Sequence, residues 1–316
     1  MRTERDENPA RGLRARARAA QARARTVRHV IVFVLALCAA ATGILLYFDE
    51  RDTRQSVHRA GDVAARDGIL VKASLQKVDP VARELLFRVN VYPQGRLQDP
   101  SDELTPVRDL TVYTSSLIRG TLRFKGGERV TTQVVAIPID DGAITNYPFD
   151  RYDARVGFSA AGGDRQLPVG LEFHDVDPFF SPRVTHNSQD SEVASLDLDV
   201  RRSRSTFILA WLMMFIMWGL ALAVLAATWF VIDHRKGLVW AAMSWMAATL
   251  FALAGFRNAA PGNPPFGSLI DYAAFLWAEG VIALCLVAVA AFGIRVEKAK
   301  LAEVEAQTAA AEADRL

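Results

Sequence analysis

Three apolar runs in quick succession, 206–232, 238–256 and 272–294, constrain this chain more than any other feature. Each is about long enough to cross a hydrocarbon core of roughly 30 Å at 1.5 Å per residue. In lipid a backbone must satisfy its own hydrogen bonds, and a helix does so within the segment. The expectation is a membrane protein. A fourth run, 30–48, precedes them. It is longer than the apolar part of a signal peptide, about 7–15 residues, and Ile44, Leu45, Leu46, Tyr47 and Phe48 continue it past the small residues 39–41. Leu37 before Cys38 also fits a lipoprotein cleavage site poorly. An uncleaved first helix is expected there.

Charge sets the orientation. The net charge of +2 hides segregation, because residues 1–28 carry nine Arg against three acidic residues. This basic arm, 1–29, belongs on the cytoplasmic side. It has no large apolar face and reads as a topology signal, or as a ligand for anionic lipid. Composition elsewhere is mixed, so no nucleic-acid partner is expected. Residues 49–205 then fall outside, His234, Arg235 and Lys236 inside, the Pro/Gly loop 257–271 outside, and the tail 295–316 inside. Both termini are expected in the cytoplasm of a cell with this protein in its inner or plasma membrane. Arg201, Arg202 and Arg204 break the pattern, because they abut the second helix on its outer side.

The outside region is long enough for one domain with a core. Its pattern alternates: Phe87, Val89, Val91; Tyr152, Ala154, Val156, Phe158; Val169, Leu171, Phe173; Leu196, Leu198, Val200. Leu122 and Phe124 lead into Lys125-Gly126-Gly127, read as a hairpin-like turn, with Val130 to Ile137 after it. Seven or eight short strands of this kind predict an antiparallel β-sandwich. The expected fold is a membrane α+β protein: four transmembrane helices, with an extracytoplasmic antiparallel β-sandwich between the first and second.

Catalytic chemistry has little to stand on. Gly157-Phe158-Ser159-Ala160-Ala161 is no nucleophile elbow, since its last residue is Ala. No enzyme activity, cofactor or structural metal is expected. Phe173-His174-Asp175-Val176-Asp177 offers an imidazole and two carboxylates, which could hold a divalent ion or form a solvated loop. Cys38 and Cys285 both lie in apolar runs, as small hydrophobes in lipid.

The charges near lipid say more. Arg257 ends the third helix and Asp271 opens the fourth, a spacing that suits an ion pair. Glu279 lies roughly 12 Å along the fourth helix from Asp271 at helical rise. A carboxylate there must be paired, wet or protonated. It finds a Trp or Ser donor, or it belongs to an ion or proton site. Ala241, Ser244, Ala248 and Ala252 form a small-residue stripe on the third helix, suited to close packing or to lining a pore in a homo-oligomer. Asp150, after Pro148-Phe149, should accept hydrogen bonds or pair with a cation. Phe149, Asp150, Arg151, Arg201, Arg202, Arg257, Asp271 and Glu279 are the candidate functional or coupling residues.

At Tyr147-Pro148-Phe149-Asp150-Arg151-Tyr152 the chain resembles a bacterial membrane family, domain of unknown function 4436. The likeness continues through Lys125-Gly126-Gly127 and Arg257-Asn258-Ala259-Ala260-Pro261-Gly262, over roughly 62–294. It implies an extracytoplasmic domain between membrane helices and no assigned activity. A second likeness is to pentameric ligand-gated ion channels. Their Pro-Phe-Asp-type turn is similar to residues 148–150, and their basic residues before the first channel helix to Arg201-Arg202. Their Pro-containing linker leading to an Asp is similar to 264–271. The flanking cysteines of those channels are missing here, and an N-terminal helix stands in for their last one. The expected function is partner or ligand binding by the outer domain, with an oligomeric ion pathway as the alternative.

Overall fold

The structure is a computed structural model that describes residues 30, 33–34, 37–38, 40–45, 47–49, 51 and 56–313. The basic arm and parts of the first apolar run lie outside the described residues. The chain divides into two units, Met1–Thr53 and Arg54–Leu316. In the first, an apolar helix α1 covers Ala40–Asp49. Its Thr42 hydroxyl donates to the Cys38 carbonyl at 2.8 Å.

The second unit begins with strands. They are β1 (Val57–Gly61), β2 (Ile69–Asp79), β3 (Glu84–Pro93), β4 (Gln98–Asp99), β5 (Asp102–Pro106), β6 (Leu110–Thr114) and β7 (Thr121–Phe124). There follow β8 (Gln133–Pro138), β9 (Asp141–Gly142), β10 (Arg151–Gly162), β11 (Arg165–Leu167), β12 (Val169–Asp175), β13 (Phe180–Asn187) and β14 (Val193–Arg202). One sheet has the order β1-β12-β2-β3-β8, and a second the order β13-β14-β10-β6-β7. Alternation does its work in both. Val71, Ala73 and Leu75, Phe87, Val89 and Val91, Val156 and Phe158, and Leu196, Leu198 and Val200 are buried in one shared hydrophobic cluster.

Two strand expectations need correction. The sheets are not wholly antiparallel, because β12 lies parallel to β2, in register from Val169 opposite Ile69 to Asp175 opposite Leu75. Alternation reports which face is buried, and strand direction is set by a partner some hundred residues away. Lys125-Gly126-Gly127 is no hairpin turn either. β7 pairs with β6 in one sheet and β8 with β3 in the other, so the turn carries the chain between sheets. Its amides go elsewhere: Gly127 N–H donates to the Pro106 carbonyl, and Gly126 N–H to the Asp109 carboxylate.

Helices close the unit: α2 (Arg204–Asp233), α3 (Trp240–Asn258), a π-helical turn (Asp271–Phe275) and α4 (Leu276–Ala313). Ser203 caps α2, its hydroxyl accepting from Thr206 N–H. A second hydrophobic cluster joins Met217 and Val224 of α2, Met246 and Leu253 of α3, and Ala278, Ile282 and Cys285 of α4. Cys285 is therefore packed between helices. Among the described residues two helices, Arg204–Asp233 and Asp271–Ala310, are long and apolar enough to cross a membrane. The chain forms α3 where another span was expected, but Arg257, with Ser244, Thr249 and two Trp, dilutes its apolarity. Phe215, Leu222, Trp229, Trp277 and Leu284 point outward from α2 and α4. An apolar surface of that kind marks a membrane or an interaction face.

Candidate functional site

The site lies where the second sheet meets the helices, and strand phase builds it. Every second residue of β14 is buried from Ala194 to Val200, and the same phase buries Arg202. In β10 the buried phase of Tyr152 and Ala154 extends back to Asp150. Arg151 faces Arg201 in the ladder, so the next pair outward brings Asp150 to Arg202. A core position holding a cation thus meets one holding an anion. Arg202 Nε donates to the two carboxylate oxygens at 3.1 and 3.0 Å, and Nη2 to one of them at 2.9 Å. Tyr152 donates its hydroxyl to the same carboxylate at 2.6 Å. The guanidinium lies over the rings of Phe180, 4.1 Å away, and Tyr147, 4.9 Å away.

Tyr147 belongs to the helical hydrophobic cluster although it precedes β10. Burial pushes its phenol up to about 12; Asp150 adds to the rise, while Arg202 and Arg257 oppose it. Burial and then the bond to Asp150 push Tyr152 up as well. Arg202 Nη1 is buried with no hydrogen-bond partner among the described residues. It points at Gly262 of the Pro/Gly loop, where an added Cβ would stand 2.1 Å from it. Gly262 also has φ +73°, so two reasons favour glycine there.

A second pair closes the Pro/Gly loop. Arg257 Nε donates to Asp271 Oδ1 at 2.7 Å and Nη2 to Oδ2 at 2.9 Å. Its remaining donors reach the carbonyls of Pro264 and Pro265 at 2.9 and 3.0 Å. Asp271 accepts in turn from the N–H groups of Gly267 and Ser268. The expected ion pair is present, with a loop wrapped round it.

The other candidates are placed differently. Phe149 is half exposed and packs edge-on against Phe207 and Trp211 of α2, with ring centroids 5.4 and 6.4 Å apart. Arg202, from the neighbouring strand, reaches the Pro/Gly loop with Nη1 aimed at Gly262. Arg151 is exposed, and Arg201 is bound by Asp199, whose carboxyl it lowers. Glu279 is half-buried and makes no hydrogen bond or ion pair among the described residues. The Trp218 indole, a possible donor to it, goes instead to the Ala273 carbonyl at 3.1 Å. The small residues Ala241, Ser244, Ala248 and Ala252 face outward, while Met246, Thr249, Leu253 and Arg257 make the buried side of α3.

Residues 173–177 are neither a solvated loop nor an ion rim. Asp177 is 1% exposed and accepts from the N–H groups of Val78, Phe179 and Phe180. Burial pushes its carboxyl up against the pull of those donors. This turn fixes Phe180 beneath Arg202. Sequence reasoning missed it, although Asp before Pro is a turn signal. Tyr147, Tyr152 and Gly262 were missed too, and only the alternation at Tyr152 hinted at its place. Among the described residues no group of three or more His, Cys, Asp and Glu could hold a metal ion.

Residues 59–201 match a domain of unknown function, DUF4436, and residues 202–296 match another, DUF8686. Each region is thus similar to a family of unknown function. The likeness to DUF4436 stops at Arg201 and does not run on through the helices as expected. The two matches meet between Arg201 and Arg202, so the Asp150–Arg202 pair lies where the β-rich region gives way to the helices. No curated protein matches the chain.

Proposed function

We propose that this chain is a non-enzymatic, multi-pass membrane protein of the cell envelope. Its sheets form an outer β-sandwich that binds a partner or ligand, and its junction relays that event to the helices. Four spans, with both termini in the cytoplasm, complete the reading, and the N-terminal arginines rest on anionic lipid. The observation that carries it is the buried Asp150–Arg202 pair, pressed by Gly262 and flanked by Tyr147 from the helical cluster. A passive tether would need no such interlock. The outward apolar residues of α2 and α4 support the membrane setting.

Thiol labelling tests the topology. Cysteines replacing Ile118 or Ala259 should react with an impermeant reagent in intact cells, and one replacing His234 should not. Gly262 is a poor place for a probe because its Cβ has no room. Labelling at His234 alone would reverse the orientation.

A second reading, a homo-oligomeric ion pathway, is favoured by two observations. The small-residue face of α3 is turned outward, and Glu279 has no partner among the described residues. Cation currents in planar bilayers, lost in Glu279→Gln, would select it. A monomer in nanodiscs without currents would remove it.

A further inference from the structure

We infer that the end of the β-region from which α2 departs is bedded in the headgroup layer of the outer leaflet, an inference that rests on the membrane reading above. Register shows which end this is. Phe180 pairs with Arg202, just before α2 begins. Ser203 N–H donates to the Phe179 carbonyl at 2.9 Å. β2 runs parallel to β12 toward the same end. There the Asp177 carboxylate ties Val78 N–H of β2 to those of Phe179 and Phe180. The β2–β3 turn, just beyond Val78, therefore stands out at the end where the helices begin.

Turn chemistry separates the two ends. Turns in water favour Gly, Asn, Asp and Ser. At the far end residues 125–128, 162–165 and 188–192 are glycine or polar throughout. At the junction end the β2–β3 turn reads Pro80-Val81-Ala82, and the turns before β10 and β13 carry Phe149, Val176 and Phe179. Val81 is 68% exposed, and the other three lie between 40% and 52%. The charges beside Val81 are taken up locally. Lys77 and Asp79 pair at 2.6 Å, and Arg83 Nη2 donates to the Asp140 carbonyl at 3.3 Å. The tip that remains is apolar. Phe149 packs on Phe207 and Trp211 at the head of α2, so this surface is continuous with the outward apolar side of that helix. Apolar and aromatic side chains are favoured at the depth of the headgroups. A soluble partner would have to enter between the β-region and the bilayer to cover them. Leu117 and Ile118 are exposed as well but stand higher, because the Ser115 hydroxyl of their hairpin donates to the Arg155 carbonyl, further up β10. They stay in water. A ligand of the outer domain is then left the far end and the flanks of the sheets.

The test places an environment-sensitive fluorophore on single cysteines of the full-length protein in phosphatidylcholine nanodiscs. The positions are Val81→Cys at the junction end, Val107→Cys at the far end, Ile118→Cys on the raised hairpin and Phe215→Cys on the outward side of α2. Cys38→Ala removes the exposed native thiol, and Cys285, packed between helices, stays. All four sites are exposed, so each label leaves the core intact. Phosphatidylcholine bearing a nitroxide on its headgroup should quench the Val81 label several-fold and leave those at Val107 and Ile118 unchanged. A nitroxide halfway down the acyl chain should quench the label at Phe215. Quenching at Phe215 without quenching at Val81 would overturn the bedded end alone. No quenching at either position would overturn the membrane reading with it. Equal quenching at Val81 and Val107 would mean that the domain lies on its side, and a blue-shifted but unquenched Val81 label would mean that protein covers the tip. Either result contradicts the inference.

Discussion

Arg257 and Arg202 are buried alike, each side chain 2% exposed and each bonded to an aspartate, yet they do different work. Arg257 and Asp271 stand 14 residues apart, and between them they bond the backbone of the loop that joins them. That pair is closed on itself. Arg202 and Asp150 stand 52 residues apart, at neighbouring ends of β14 and β10. Arg202 also leaves Nη1 aimed at a third segment, Gly262. A cation saturated by local backbone shapes a loop, whereas one shared among a strand, an aromatic cage and a distant loop couples parts of the molecule. The contrast predicts how each will fail.

The largest effect should come from Asp271→Ala. It leaves Arg257 buried without its counter-charge, at about 3–5 kcal/mol, and takes the acceptor from Gly267 and Ser268. Recovery of monodisperse protein by size exclusion should collapse. Asp150→Ala should cost less, about 3 kcal/mol, because Arg202 keeps the ring faces of Tyr147 and Phe180. A clear fall in thermal midpoint with folded protein still recovered is expected. A larger loss than for Asp271→Ala would invert the ranking.

Gly262→Ala tests the contact between Arg202 and the Pro/Gly loop. A Cβ 2.1 Å from Arg202 Nη1, at positive φ, should cost about 1–3 kcal/mol. A neutral result would mean that the loop does not press on Arg202. Tyr152→Phe removes one bond to Asp150 and should cost about 1–2 kcal/mol. The smallest effect is in alkali. Tyr147 has its pKa raised, so its stabilising share is complete below the ordinary tyrosine range near pH 10. That share is lost as pH rises toward about 12. Ultraviolet titration should show Tyr147 and Tyr152 ionising after the exposed tyrosines, and their replacement by Phe should remove that late phase.

The local pair was the more legible of the two. Arg257 and Asp271 flank a Pro/Gly loop, so their meeting could be read from spacing. Asp150 was expected to find a cation and Arg202 to have a task, but joining them needs the β10–β14 register, which no local pattern records. The parallel placing of β12 beside β2, and the crossing at Lys125-Gly126-Gly127, were hidden for the same reason. Alternation reads one strand at a time, and pairing is a property of two. The Asp177 turn was misread because its carboxylate looked solvated, while its three amide donors come from β2 and from the turn into β13.

Hydrogen exchange followed by mass spectrometry tests the coupling most directly, comparing the native protein with Asp150→Asn in the same nanodiscs. If Asp150 and Arg202 tie the sheets to the helices, exchange should quicken at the start of β10 and also across the Pro/Gly loop around Gly262, more than a hundred residues away in sequence. Faster exchange confined to the β-domain, with the loop unchanged, would contradict the account.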